Sequence, residues 1–320
     1  MFTRARRRTS GVLLPRGLNG HPQMGAPHQA LLMAMAALAR AYVITGKGNN
    51  VSAVPQLTTE KYGLGTDTTV AGTSFSGGAA DGLAAAGTST VGYFAEGYDG
   101  GANIARTDKY TFSGDSVSTG TNQQNAERYC AAAGNTTIGI WNGAFGSGGA
   151  GSKYTYSGDT VAAAAALTRE GFLSSAAGNS TVGVWVGAYN GGSGTTNTGK
   201  YTYSGDTTAN GTAAGTAHYG ATATATTTVG YYCGNQSNLT VVDKYTYSGD
   251  TVAGGTALSS GQGYGASAAG DATQGLWRGT SGGGASTGLY TYSGDTTAAG
   301  TSMVAGRGWL AAACSVPGGF

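Results

Sequence analysis

Apolar and polar residues alternate in short runs along this chain, and the runs recur in register. In Val182–Ala188, the side chains of Val182, Val184 and Val186 share one face while Gly183, Trp185 and Gly187 share the other, the period of two that marks a β-strand. Counterparts stand at VGYFAEG from Val91, IGIWNGA from Ile138, VGYYCGN from Val229 and QGLWRGT from Gln274. Before this strand lies a run of small residues, FLSSAAG at Phe172–Gly178, RYCAAAG at Arg128–Gly134 and YGASAAG at Tyr264–Gly270. Such a run suits a strand crowded near a central axis. After it come a Gly-rich loop of variable length, a tyrosine strand such as Lys200–Ser204, and a fourth strand beginning at Thr207. The Gly205-Asp206 pair predicts a two-residue type II′ hairpin with glycine as the positive-φ residue. The Gly face of the second strand predicts close approach by an aromatic ring of the neighbouring repeat.

The whole pattern recurs every 44 to 48 residues, marked by KYTYSGD or a close variant at Lys109–Asp115, Lys153–Asp159, Lys200–Asp206, Lys244–Asp250 and Leu289–Asp295. A worn first copy, KYGLGTD, occupies Lys61–Asp67. A unit of this length cannot bury its own apolar face, so copies must stack. The fold class expected is therefore all-β, a β-propeller of four-stranded antiparallel blades, with six blades expected and seven the alternative. The first copy opens on a second strand, Tyr42–Gly46, and needs a first strand from elsewhere. Gly306–Ser315 is expected to supply it and close the ring, with His28–Leu38 as the alternative. Residues 1–27 are read as a basic arm and 28–320 as the propeller.

Composition narrows the function classes. Residues 1–40 carry six arginines and no acid, whereas the remaining 280 carry 11 basic and 15 acidic side chains. The repeat body thus lacks the basic surface on which nucleic-acid affinity rests, leaving only the arm for such a contact. Cys130, Cys233 and Cys314 occur singly in different repeats and are expected to act as small buried hydrophobes. No apolar run is long enough to span a bilayer. The arginine run followed by ALLMAMAALA is like an overlong secretory leader, but Arg16, Pro22, Pro27 and two histidines separate its parts, so retention is expected over cleavage.

The segment VGVWVGAYNGG followed by GKYTYSGDT resembles the kelch pattern, a strand with glycines and an aromatic, then a tyrosine strand and turn. The resemblance runs from about Tyr42 to Ser315, and the chain is similar to Gly- and Thr-rich kelch-like repeats of bacterial and bacteriophage-encoded proteins. It departs from the family at the double glycine, replaced by Gly187-Ala188 and Gly143-Ala144, and lacks the fourth-strand tryptophan. The resemblance implies a non-enzymatic structural or recognition propeller, a virion component of tail or fibre type, with other virion proteins or host surface glycans as partners. A secreted lectin or adhesin is the alternative, and a glycan-active enzyme the third reading.

Motif chemistry is sparse. His218 is the single histidine of the repeats, too few for a copper site, and each SGD turn offers one carboxylate, too few for calcium. No cofactor or metal is therefore expected. No GxSxG, HExxH or P-loop string occurs. The nine non-repeating acids include Glu60, Glu96, Asp108, Glu127 and Asp243, and nothing in the sequence brings any two together as a glycosidase pair. The variable loops after the second strands are the functional candidates, all expected on one face of the disc. Tyr98, Phe145 and Tyr189 there can stack on sugars or anchor a protein, with Asp99, Asn190 and Asn238 adding polar contacts.

Overall fold

The computed structural model describes residues 42–46, 56–143, 151–168, 171–235, 237, 239–263, 265–279, 284–306, 308 and 311–314. The arm at 1–27 and the alternative closing segment His28–Leu38 lie outside them. The described elements are all β, arranged as six four-stranded antiparallel sheets and one two-stranded hairpin, Tyr189–Asn190 with Ser193–Gly194.

Blades 2 to 6 each run inner, second, third and outer strand in chain order. Blade 4 is typical, with Ser175–Gly178, Val182–Val186, Thr198–Thr202 and Thr207–Asn210. The inner strands of blades 2, 3, 5 and 6 are Ala84–Gly87, Ala131–Gly134, Thr222–Ala225 and Ser267–Gly270. Blade 1 is assembled from both ends of the ring. The inner strand Ala311–Cys314 pairs with Tyr42–Gly46, which pairs with Thr59–Gly63 and then Thr68–Gly72. Each inner strand packs on the next, and Ala311–Cys314 packs on Ala84–Gly87, so the ring closes at six blades with the C-terminal strand as its last element. Small side chains on these strands are required because six of them converge around one axis.

Six apolar clusters fill the six blade-to-blade interfaces. Between blades 3 and 4, Ala131, Ala133 and Ile140 meet Trp185, Tyr201 and Tyr203. The second-strand tryptophans cross the interface and donate to inner-strand carbonyls of the preceding blade, Trp141 Nε1 to Ala84 at 3.2 Å and Trp185 Nε1 to Ala131 at 3.2 Å. Glycine in the second strand makes room for these rings, but the rings come from its own blade. A Cβ on Gly183 would stand 2.7 Å from Trp185 and 2.8 Å from the Tyr203 hydroxyl. The neighbour expected from the strand pattern is thus replaced by a diagonal cross-strand tyrosine.

The SGD segment also differs from its expected geometry. Thr202 pairs with Thr207, so the loop is four residues, Tyr203–Asp206, and its left-handed residue is Asp206 (φ 49°) rather than Gly205. Asp67, Asp115, Asp159, Asp250 and Asp295 share that conformation, with φ of 46–50°. A turn of this kind curls right-handed through Ser-Gly and needs one left-handed residue to rejoin the strand, which Asp tolerates because its short side chain bonds locally.

Those aspartates do more than turn the chain. Five of them, all but Asp295, accept from the tyrosine five residues earlier, as Tyr110 to Asp115 and Tyr154 to Asp159. Each of five also accepts the lysine of the preceding blade: Lys61 to Asp115, Lys109 to Asp159, Lys153 to Asp206, Lys200 to Asp250 and Lys244 to Asp295. The preceding blade adds a backbone amide, such as Thr121 N to Asp159 Oδ1 at 2.9 Å. KYTYSGD is therefore an interblade latch as well as a turn. Burial pushes Asp115, Asp159, Asp206 and Asp250 upward, but the lysine, tyrosine and amide bonds outweigh it and hold each at about 2.

A carboxyl held below its ordinary value adds stability above that value and loses it as pH falls towards the folded one. The melting temperature is therefore expected to decline between about pH 4 and pH 2, modestly because these side chains are 34–40% exposed. Lys153→Met should show a shallower decline over that window. A flat wild-type profile there would show that the latches add nothing.

Candidate functional site

Chain direction sorts the loops between the two faces of the disc. Inner strands start, and second strands end, on one face, so the variable loops and the connections into the next blade meet there. Isolated bridges join them: Gln56 with Ala80, Ile104 with Glu127, Thr195 with His218 and Leu239 with Gln262. The SGD turns occupy the opposite face. Among the described residues, the loops that vary in length and sequence from blade to blade lie on this face.

Of the residues singled out from sequence, Tyr98, Asp99, Tyr189 and Asn190 fall on the loop face, in two separate places, while Phe145 and Asn238 lie outside the described residues. Tyr98 is half-buried, bridged to Asp81 and Asn103, and its hydroxyl donates to the Gly100 carbonyl at 3.0 Å. The Arg128 guanidinium lies 4.5 Å above its ring and 5.0 Å from the ring of Tyr129, a cation in contact with two aromatics. Asp99 is exposed and accepts from the Gly101 and Ala102 amides at 2.9 and 2.8 Å. The Ala102 and Gly101 amide bonds hold its carboxyl below the ordinary value. Its present partners are thus those of a loop-shaping turn.

Tyr189 opens the hairpin Tyr189–Gly194 and is half-buried between Phe172, at a ring separation of 4.9 Å, and Tyr219, at 5.5 Å. Asn190 beside it is exposed, and nothing lies within 4 Å of a Cβ added at Gly191 or Gly192 at the tip. The hairpin therefore presents an aromatic flank and open backbone together. The sequence pattern puts Phe172 in the first strand, but that strand begins at Ser175, and Phe172 and Tyr219 both lie in the connections that precede inner strands, where their rings meet Tyr189.

Beneath the loop face lie polar groups whose partners no spacing in the chain could reveal. His218 is fully buried, with Nε2 2.9 Å from Asp243 Oδ2 and Nδ1 3.0 Å from the Gly234 carbonyl, and the Thr216 amide also donates to Asp243. Two of the non-repeating acids do come together. Glu96 and Glu127 are buried beside Cys130, and burial, set against a Cys130 hydrogen bond and reinforced by the Glu127 charge, pushes the Glu96 carboxyl up to about 8. Cys130 and Cys233 are buried free thiols, as read from sequence. Burial pushes the Cys233 thiol up to about 12.

The inner strands line a central channel. Its mouth, a space of about 350 Å³, is lined by Gly82, Leu83, Tyr129, Cys130, Leu173, Ser174 and their counterparts in blades 5 and 6. The channel below is lined by Ala, Ser, Thr, Leu and Cys, so neither region presents a carboxylate, histidine or basic side chain. Among the described residues no group of three or more His, Cys, Asp or Glu is placed to hold a metal ion, and no helix is long and apolar enough to cross a membrane.

No protein-family model matches this sequence, and no curated protein matches it. The architecture is nonetheless that of a β-propeller. On the loop face the half-exposed rings of Tyr98 and Tyr189 can stack, and Asn190 and the hairpin backbone can hydrogen-bond.

Proposed function

We propose that this chain is a kelch-like propeller with a non-enzymatic structural or recognition role, a bacteriophage virion component of tail or fibre type. Its loop face contacts other virion proteins or host surface glycans. The observation that carries this reading is the division of labour between the faces: the repeated turns commit their side chains to interblade bonds, while half-exposed Tyr98 and Tyr189 stand among loops that vary from blade to blade. An aromatic face beside an exposed amide is the usual chemistry for stacking on a sugar or anchoring a protein loop. A secreted lectin of the same fold is the second reading, favoured by the leader-like arginine and alanine-leucine segments within residues 1–40.

A broad glycan array is expected to show saturable binding that is lost when Tyr98, Phe145 and Tyr189 are changed to alanine together. Binding that survives the triple change would move the site elsewhere, and no binding at all would leave contact with virion proteins as the function. Mass spectrometry of purified particles tests the virion assignment, and loss of about 39 residues from the native chain would favour the secreted lectin. Release of product from any oligosaccharide would overturn the non-enzymatic reading.

A further inference from the structure

Five of the six interfaces carry the lysine latch, and the sixth, between blade 6 and blade 1, does not. Leu289 stands where the other blades have lysine, packed against a cluster that contains Tyr62 and Leu276. Asp67 keeps the amide and hydroxyl of Thr301 at 2.6 and 2.7 Å and the hydroxyl of Tyr62. In place of the lysine this seam buries a different ion pair. Arg278 ends the second strand of blade 6, and Glu60 is the second residue of the third strand of blade 1. They meet at 3.5 Å with side chains 1% and 2% exposed. Arg278 also bonds Thr69 Oγ1 at 3.0 Å, and Glu60 accepts the amides of Val304 and Ala305, which lead into the closing strand.

At the other seams the residues in these two positions are Ala95 with Ser152, Asn142 with Gly199, Val186 with Asp243, Cys233 with Gly288, and Gly46 with Asp108. Glu60 with Arg278 is the single opposite-charge pair in the set. The lysine latches are interchangeable, because every copy uses the same residues in the same geometry. They hold adjacent blades together without saying which blades should be adjacent.

We infer that the Arg278–Glu60 pair is the closure address of the ring: it restricts the last seam to blade 6 on blade 1 and so excludes five-bladed closures of the same chain. Closure of blade 5 on blade 1 could still form a lysine latch, Lys244 to Asp67, but it would bury Glu60 against Cys233 with no cation. Closure of blade 6 on blade 2 would bring Leu289 to Asp115, which would lose its lysine, and would set Arg278 against Asp108, already engaged by Arg106 at 3.5 Å. Each wrong ring therefore buries an unpaired or mispaired charge. A buried ion pair adds little net stability against apolar residues of similar volume, and fixing one arrangement among alternatives is its best-attested use. Chains built from near-identical repeats face that problem acutely.

The test is refolding of the full chain from denaturant, followed by a protease pulse and intact-mass analysis. In the variant Glu60→Gln with Arg278→Met, the new carboxamide oxygen still accepts a loop amide and the thioether side chain fills the space left by the guanidinium. Both partners thus become neutral. A five-bladed ring leaves one blade unpacked and cleavable, either blade 1 or blade 6 as a loop ahead of the closing strand Ala311–Cys314. The variant is expected to give roughly tenfold more molecules cut within blade 1 or blade 6 than the wild type, the change carried by losing about 1.4 kcal/mol of discrimination. A cut fraction equal to that of the wild type would overturn the inference. Adding Leu289→Lys to the double variant supplies a generic latch at the seam, so that chain folds even if the double variant does not, and it should still be cut. Leu289→Lys alone, with the pair intact, should refold uncut; cleavage there, or none in the triple variant, would equally sink the idea.

Discussion

Arg278→Met alone is expected to lower the free energy of unfolding by about 3–5 kcal/mol, because it leaves the Glu60 carboxylate buried without its cation. The side chain touches two blades: its Nε donates to Thr287 Oγ1 at 3.3 Å within blade 6, and Nη2 reaches Thr69 and Glu60 in blade 1. The guanidinium also lies 5.3 Å from the Tyr62 ring, so methionine loses a cation–π contact as well as the pair. Two amides of the segment feeding the closing strand depend on Glu60. Damage should therefore appear first as faster amide exchange in Ala311–Cys314 and Tyr42–Gly46. Urea titration of the two proteins measures the total. A loss below about 1 kcal/mol would mean that the pair is no better than a surface contact. Pairing the change with Glu60→Gln should recover most of the loss, since both charges are then gone.

Glu96→Gln is expected to stabilise the propeller, increasingly so as pH rises. Glu96 is 1% exposed, and its carboxyl, pushed up to about 8 by burial despite the Cys130 bond, resists ionising in the folded state. Raised from 4.5 in the unfolded chain, it favours the fold fully below about pH 4.5, and that advantage is lost as pH rises from there to about 8. Glutamine removes the pH dependence, a gain on the order of a few kcal/mol at pH 8 and above. Glu96 also has a left-handed backbone (φ 63°) at the position where blades 3 to 6 place Gly143, Gly187, Gly234 and Gly279, with φ of 73–101°. Glu96→Gly should thus add about 1 kcal/mol of strain relief at every pH, less whatever the emptied space costs. Melting curves from pH 5 to 9 separate the two effects. Parallel wild-type and Glu96→Gln curves would show that the carboxyl does not titrate as a buried group.

These two residues show how unevenly the molecule could be read in advance. The strands were legible because alternation and small-residue runs are local, and repetition confirmed each reading several times over. Closure by the C-terminal strand was legible too, since AAAC matches the AAAG of the inner strands in a chain that otherwise begins on a second strand. Glu96 takes the place of a glycine in the aligned runs VGYFAEG, IGIWNGA and VGVWVGA, so its position is legible in sequence. That it is buried needs the loop face above it. Tyr98 and Tyr189 stand out in sequence because they fall in variable loops, whereas the contacts of Arg128, Phe172 and Tyr219 with them appear only once the inner strands are seen to begin three residues later than the repeat suggests, at Ala131 and Ser175.

The sequence alone determined the unit, its four strands, their stacking and the strand that completes the ring, because period and alternation are properties of neighbouring residues. Tertiary structure decided what KYTYSGD is for and where the ring knows its ends. Asp159 has its tyrosine five residues away but its lysine 50 residues away, and Arg278 finds Glu60 across 218. Contacts of that separation exist only once six blades have closed around one axis, so the side chains that make them carry no local mark of their partners.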